Sequence, residues 1–388
     1  MIATTQPLGA LIDKCYKPRA PAANDDEVWN LNLDQIEPHS GRVLSRCMLS
    51  VTELGPSTHT FDRGTVLYSK LRPYLNKVVV ADDDGVATTE LVPIRCDESR
   101  LNAHYLAHFL RGPVFLRFAT NVVAGAKMPR MVMSEFWKFP VPLPPLPEQR
   151  RIAAILDQAD ALRAKRREAL AQLDSLTQSI FIEMFGDPAR NPKAWPEVAL
   201  SKLVREDDTI NYGVVQPGDA LDEGIPLVRV GDLVDGEFSS TTLKRIDPSI
   251  ESAYKRSRLR GDEVLVSCVG SIGVTVLATP AMKGFNIARA VARIPLAEGA
   301  NRVFVASYLK TAAVQNYFTA ELRTVTQPTL NIKQIAETKV FCPPLALQQT
   351  FATRIQAVES LKATHRAALA ELDALFASLQ HRAFAGTL

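Results

Sequence analysis

A chain of 388 residues is more than one hydrophobic core serves, because single cores stop growing at roughly 250–300 residues, so two or more domains are expected. With 46% hydrophobic and 22% charged residues, the composition is that of a water-soluble globular protein and excludes a disordered or collagen-like chain. The balance of 45 basic against 42 acidic groups means that a polyanion would have to be met by a local patch. No run approaches ~18 uninterrupted apolar residues and no secretory signal is visible at the N-terminus, so no membrane span is expected. The five cysteines (Cys15, Cys47, Cys96, Cys268, Cys342) form no C-x-x-C pair, which argues against a disulfide or zinc scaffold and fits a reducing cytoplasm.

Residues 1–143 mix short β-rich runs with short helices. Strands are predicted at 64–69 and 77–81, the second followed by the acidic turn Asp82-Asp83-Asp84-Gly85. A helix follows at 101–112, with an Asn102 cap and a Gly112-Pro113 stop. Basic and aromatic residues interleave in 70–77 and 125–130. His104 and His108 stand i, i+4, but no Glu follows His104; a packed helical pair fits better than a metal site.

A proline-rich lead, 140–147, then blocks backward extension of a long helix that stops near Gly186-Asp187-Pro188. Its apolar seam steps by three and four: Ile152, Ile155, Ala159, Leu162, Arg166, Ala169, Leu173, Leu176, Ile180. Residues 188–342 repeat the first order, with strands at 264–267, 274–277 and 291–294 and a helix near Phe304–Phe318. Residues 240–260 hold six basic groups (Lys244, Arg245, Lys255, Arg256, Arg258, Arg260) against Asp247 and Glu251. Gly270-Ser271-Ile272-Gly273 sits between two strand-like runs and reads as a tight turn or a DNA-facing loop, not a phosphate cradle at a helix start. The last segment, 343–388, carries a second seam: Phe351, Arg354, Val358, Leu361, His365, Ala368, Leu372, Leu375, Leu379.

The chain therefore repeats itself. Pro144–Gln149 lies over Pro343–Gln348 at an offset of 199, and the match runs ungapped for about 40 residues. It includes Arg167/Arg366, Asp174/Asp373 and Ser179/Ser378, which shared apolar spacing alone would not produce. Upstream, 63–69 resembles 260–267 and Met128-Pro129 aligns with Gln327-Pro328. The fold class is α+β: two tandem α+β domains (1–143 and 188–342) separated by two long helices (144–187 and 343–388). These helices are expected to form an intramolecular antiparallel coiled coil with a pseudo-twofold repeat. A rod of about 40 residues with an apolar seam is unstable alone, and the other copy is the economical partner.

Catalytic signatures are missing. There is no G-x-x-x-x-G-K-[ST] loop and no Asp/Asn-Pro-Pro-aromatic tetrapeptide; Cys342-Pro343-Pro344-Leu345 lacks both ends of the latter. The chain reads as non-catalytic.

The run Pro142-Leu-Pro-Pro-Leu-Pro-Glu-Gln-Arg-Arg-Ile152, entering a helix that ends Phe185-Gly186-Asp187, resembles the central conserved region of type I restriction enzyme specificity subunits. The stretches 67–77 and 224–236 resemble segments of their target recognition domains. What the resemblance implies is a scaffold that reads an asymmetric bipartite DNA site, with rod length fixing the unread spacer. DNA contacts are then expected from Lys70, Arg72, Tyr74, Lys77, Lys127 and Arg130 in the first half, and from Arg229, Lys255, Arg256, Arg258, Ser271 and Gln327 in the second. No cofactor and no metal are expected on this chain; two methyltransferase subunits would bring S-adenosylmethionine, and motor-nuclease restriction subunits ATP and Mg²⁺. The partners would be double-stranded DNA and those subunits, in the cytoplasm and away from membranes. Two rivals stay open: a stand-alone DNA methyltransferase or nuclease with degenerate motifs, and a coiled-coil interaction protein that never touches DNA.

Overall fold

The structure is a computed structural model and describes residues 4–13, 15–18, 27–55, 58–234, 237–240, 243–322 and 328–388. They fall into two compact units, Met1–Glu168 with Arg366–Leu388, and Ala169–His365.

In the first unit a four-stranded sheet runs Met48–Leu49, Val28–Leu31, Gly85–Thr88, Thr58–Phe61, and a three-stranded antiparallel sheet runs Val78–Val80, Val66–Ser69, Leu91–Ile94. The central strand Val66–Ser69 is buried on both faces, as its β-rich composition requires. Val66 and Tyr68 turn toward one core with Tyr105, Phe109, Phe115 and Phe136, and Leu67 turns toward a second with Trp29 and Phe61. The helix Ala103–Arg111 starts where the Asn102 side chain accepts the Tyr105 N–H at 3.0 Å.

The second unit repeats this plan. Asn211–Tyr212, Val291–Ile294, Val264–Ser267 and Thr275–Leu277 form one sheet; Lys244–Ile246, Ile225–Val228 and Asn286–Ile287 form another. Val264 and Val266 face one core, and Leu265 faces another. Gly213 is required here, because a β-carbon would lie 1.5 Å from the Ile287 carbonyl oxygen. The expected helix near Phe304–Phe318 is two, Arg302–Leu309 and Ala312–Ala320. They part at Lys310-Thr311, where Thr311 N–H and Oγ1–H both donate to the Tyr308 carbonyl (3.0 and 2.7 Å) and Gln315 Nε2 donates to the Leu309 carbonyl.

A short antiparallel pair precedes each long helix, and in the first copy it takes in the start of the proline-rich lead. Thr5–Pro7 pairs with Pro140–Pro142, and Glu197–Ala199 with Lys339–Phe341. The long helices begin directly afterwards and are equal in length, 40 residues each: Leu146–Phe185 and Leu345–Phe384. Gly186, at φ +85°, ends the first by donating its N–H to the Ile182 carbonyl.

The repeated glutamine at each helix start fastens that helix to its own domain. Gln149, fully buried, accepts the Asn102 N–H at 2.9 Å and donates to the Arg100 and Pro144 carbonyls, both at 2.9 Å. Gln348 accepts the Asn301 N–H at 2.9 Å and donates to the Pro343 carbonyl at 2.8 Å. The second copy thus keeps the contact although its motif departs from Pro-Leu-Pro-Glu-Gln.

The long helices pack together and run antiparallel. In the first unit Arg163 donates to Asp373 at 2.6 Å and Arg151 to the Leu388 carbonyl at 2.9 Å. Phe376, Leu379, Ala383 and Phe384 complete the core around Tyr105 and Phe109. In the second unit Lys362 pairs with Asp174 at 2.7 Å, and Phe351 meets Phe181 and Phe185 edge-on. Of the expected seam, Ile152, Ala159, Ile180, Phe351 and Val358 are buried, and Ile155, Ala169, Leu173, Ala368, Leu372 and Leu379 are half-buried. Leu162, Leu176, Leu361 and Leu375 stand 44–49% exposed. The buried stripe instead takes in Leu156 and Ile355, with the ion-paired Arg163 and Lys362 beside them. Long charged side chains lie along the contact with their heads on acids, a pattern that hydrophobic spacing does not register.

His104 and His108 grip one carboxylate of the long helix. His104 Nδ1 lies 2.9 Å and His108 Nε2 2.7 Å from the two oxygens of Asp157. Burial pulls the Asp157 carboxyl upward, but the two histidines outweigh it and hold it far below the ordinary 3.8. His108 is itself pushed down by burial.

Two predictions follow from this packing. Gln149→Ala leaves a buried N–H and two carbonyls without partners and is expected to cost about 1–3 kcal/mol in a urea titration; a loss within ~0.3 kcal/mol would contradict the fastening role. A carboxyl depressed in the fold stabilises above its unfolded pKa, and that contribution is lost as pH falls through the folded value. Asp157→Asn is therefore expected to lower Tm near pH 5, with the gap to the wild type narrowing as pH falls from about 4 toward about 2. A Tm gap that stays constant over this range would contradict it.

Candidate nucleic-acid interface

The strand Val66–Ser69 and its counterpart Val264–Ser267 each lead into a loop held in the same way. Ser69 N–H donates to the Lys77 carbonyl at 3.0 Å, and Ser267 N–H to the Val274 carbonyl at 2.9 Å. The serine hydroxyl bends back on its own loop, Ser69 to the Leu71 carbonyl and Ser267 to the Ser271 carbonyl. Two residues of each loop have left-handed backbone: Arg72 (φ 49°) and Asn76 (φ 50°) in the first, Gly270 (φ 77°) and Gly273 (φ 79°) in the second. Each loop is buttressed by a later segment. Met131 N–H donates to the Lys70 carbonyl at 2.8 Å, and Leu330 N–H to the Cys268 carbonyl at 2.9 Å. In the first unit the buttress is the hairpin Val123–Ala124 with Arg130–Met131, and Arg72 N–H donates to the Pro129 carbonyl at 2.8 Å.

These bonds bring Lys70, Arg72, Tyr74, Lys127 and Arg130 onto one loop-and-hairpin cluster. Arg72, Tyr74 and Lys127 are exposed and Lys70 half-exposed; the charge of Lys70 helps to hold the Glu90 carboxyl low. Arg130 is different: it clasps Glu90 at 2.8 and 3.0 Å, and the bond holds the Glu90 carboxyl below its ordinary range. Lys77 turns inward, Nζ donating to the Leu33 carbonyl at 2.6 Å, and burial lowers its pKa.

In the second unit Ser271 is exposed on the equivalent loop, and Gln327 lies outside the described residues. Arg229 pairs with the buried Asp232 at 3.1 Å. Arg258 clasps the buried Glu251 at 2.8 Å and keeps that carboxyl low. Lys255 and Arg256 are exposed, the Lys255 charge acting on Glu251, and they line a cleft of about 490 Å³ whose other walls include Arg260, Arg293 and the acids Glu206, Asp207 and Asp208. That cleft is the mouth of a buried network: Arg293 meets both Asp208 and Glu263, and the Glu263 carboxylate accepts the N–H groups of Arg260, Gly261 and Asp262 at 2.7–3.1 Å.

Sequence reasoning passed over Val123 and Met128, which stand 37% and 45% exposed on the hairpin beside the loop. An exposed Met next to Lys127 was the available signal. What the cluster offers is unpaired cations together with apolar surface on protruding backbone. Among the described residues there is no group of three or more His, Cys, Asp or Glu able to hold a metal ion, and no helix long and apolar enough to cross a membrane.

A family model described as the type I restriction modification DNA specificity domain matches residues 58–172 and 211–374, one block in each copy. The EcoBI specificity subunit of Escherichia coli is 27% identical over 341 residues, 81% of this chain and 71% of the relative. The EcoDI specificity subunit of the same organism is 31% identical over 156 residues, 39% of this chain and 34% of that one. Among solved structures, a chain from a type I R-M system studied for complex assembly and conformational transition superposes with a TM-score of 0.55 at 20% identity, covering 99% and 98% of the two chains. The type I restriction-modification S subunit of M. genitalium gives 0.60 at 15% identity, covering 98% and 96%. At these identities the two structures show the shared fold.

Proposed function

Since the chain belongs to the type I restriction modification DNA specificity family, we propose that its two copies of one domain read the two halves of an asymmetric bipartite DNA site. The chain is the DNA-specificity subunit of a type I restriction–modification system and performs recognition, not catalysis. The observation that carries this reading is the double family match, one block over each copy, with the same buttressed loop inside each block. Residues 1–143 and 188–342 are the two recognition domains, and 144–187 and 343–388 the spacer helices whose length sets the unread gap. Half-sites met from one side of the duplex lie about one helical turn apart. The contacting residues are Lys70, Arg72, Tyr74 and Lys127 in the first domain and Lys255, Arg256 and Ser271 in the second, because these are exposed or half-exposed and cations so placed can replace counterions on phosphates. Lys77 and Arg130 are held by Leu33 and Glu90 at the first loop and its hairpin, and Arg229 and Arg258 are taken up by Asp232 and Glu251.

Two methyltransferase subunits bind the outward helix faces, where Leu162 and Leu375 in one unit and Leu176 and Leu361 in the other leave apolar side chains open at repeat-related positions. They carry S-adenosylmethionine, and restriction subunits carry ATP and Mg²⁺; the whole works in the cytoplasm.

Co-expressing the chain with its methyltransferase partner and sequencing the methylome by single-molecule reads tests this. Exchanging residues 1–143 for those of a relative is expected to change one half of the methylated motif and leave the other half intact. Simultaneous change of both halves would overturn the domain assignment, and the absence of any defined motif would overturn the function.

A further inference from the structure

The two copies of the loop provide an internal comparison. Where the second copy meets the left-handed backbone with Gly270 and Gly273, the first uses Arg72 and Asn76. Glycine adopts that conformation without strain and a residue with a β-carbon does not, so the fold itself gives no reason for an arginine at 72. The Asn76 amide has an internal duty, donating to the Arg111 carbonyl at 2.9 Å. The Arg72 side chain has none among the described residues and stands exposed.

Beside it lies unusual apolar surface: Tyr74 is 45%, Met128 45% and Val123 37% exposed. Lys70 and Arg72 precede Tyr74 on the loop, Lys127 precedes Met128 on the hairpin, and the Arg72–Pro129 backbone bond joins the two segments. Phosphate contact needs only cations. Apolar side chains set among free cations need an apolar feature on an anionic partner, and in the major groove that feature is the C5-methyl of thymine.

We propose that Tyr74 and Met128 are specificity-determining residues that read a thymine methyl in the half-site of the first domain, with Arg72 and Lys127 anchoring the adjacent backbone. Ile272 occupies the position of Tyr74 in the second copy, and the position of Arg72 there is Gly270, so the second domain lacks the neighbouring cation. This rests on the DNA-reading function above and adds the chemistry of one contact.

The test uses the chain assembled with its methyltransferase subunits and duplexes carrying its own methylated site. Each thymine is replaced singly by deoxyuridine, which lacks only the methyl. At least one replacement in the first half-site is expected to weaken binding about three- to fivefold, the worth of one buried methyl. Met128→Ala and Tyr74→Ala complexes are expected to lose that discrimination at the same base, and Met128→Leu to retain it. All should keep unchanged responses to replacements in the second half-site, which also shows that the variants are folded. Deoxyuridine without effect in the first half-site, the same effect in wild type and both alanine variants, or a first half-site made only of G·C pairs would each overturn the proposal. A complex with no sequence preference at all would instead overturn the functional reading.

Discussion

Each unit is closed by a piece of the long helix that belongs, in chain order, to the other copy, and charge fixes the place at which it closes. In the first unit Arg163 is held between Asp160 on its own helix (2.7 Å) and Asp373 on the opposing one (2.6 Å), with Arg111 of the domain 3.6 Å from Asp160. In the second, Lys362 is held between Glu359 (2.8 Å) and Asp174 (2.7 Å), and Lys310 feels the same two acids. Every member has its counterpart at the repeat offset: Arg111 and Lys310, Asp160 and Glu359, Arg163 and Lys362, Asp373 and Asp174. With side chains only 15% and 9% exposed, Arg163 and Lys362 cannot lose their acids cheaply. Sliding one helix past the other by a turn would leave both cations poorly paired, so the ion pairs specify register more than they add stability.

The glutamines extend this constraint from helix to domain. Gln149 and Gln348 tie the helix start to the N-cap of the first domain helix, Asn102 or Asn301, and those helices pack on the central strand that leads into the exposed loop. Within each unit a continuous mechanical line runs from long helix to loop. Arg130 adds a clasp on Glu90 beside the first loop, while Arg258 closes a separate segment of the second domain on Glu251. The basic residues of the two domains thus differ in their partners: Lys77, Arg130, Arg229 and Arg258 are engaged by a carboxylate or carbonyl, whereas Arg72, Lys127 and Arg256 stand exposed.

Much of this was legible in the amino-acid order. The repeat, the equal helices, the Asn102 cap and the strands around Val66 and Val264 follow from spacing and residue type, because local propensity and burial agree there. Three things were not. Hydrophobic stepping put Leu162, Leu176, Leu361 and Leu375 inside the helix contact, whereas the contact is partly ionic and turns them outward. The glutamine of the repeated motif was visible, but its role depends on a backbone N–H 47 residues away. Lys77 and Arg130 resemble free cations in sequence, and only the positions of Leu33 and Glu90 reveal that they are engaged. Reading in chain order also suggests four consecutive segments, and conceals that residues 366–388 complete the core begun by residues 1–168.

That closure is the central claim, and hydrogen exchange on a chain truncated after His365 tests it most directly. If the returning helix supplies the missing wall of the first core, amides of Ala103–Arg111 and of Val66–Ser69 lose protection, while Val264–Ser267 and Val291–Ile294 keep theirs. Full protection of the first unit in the truncated chain would contradict it.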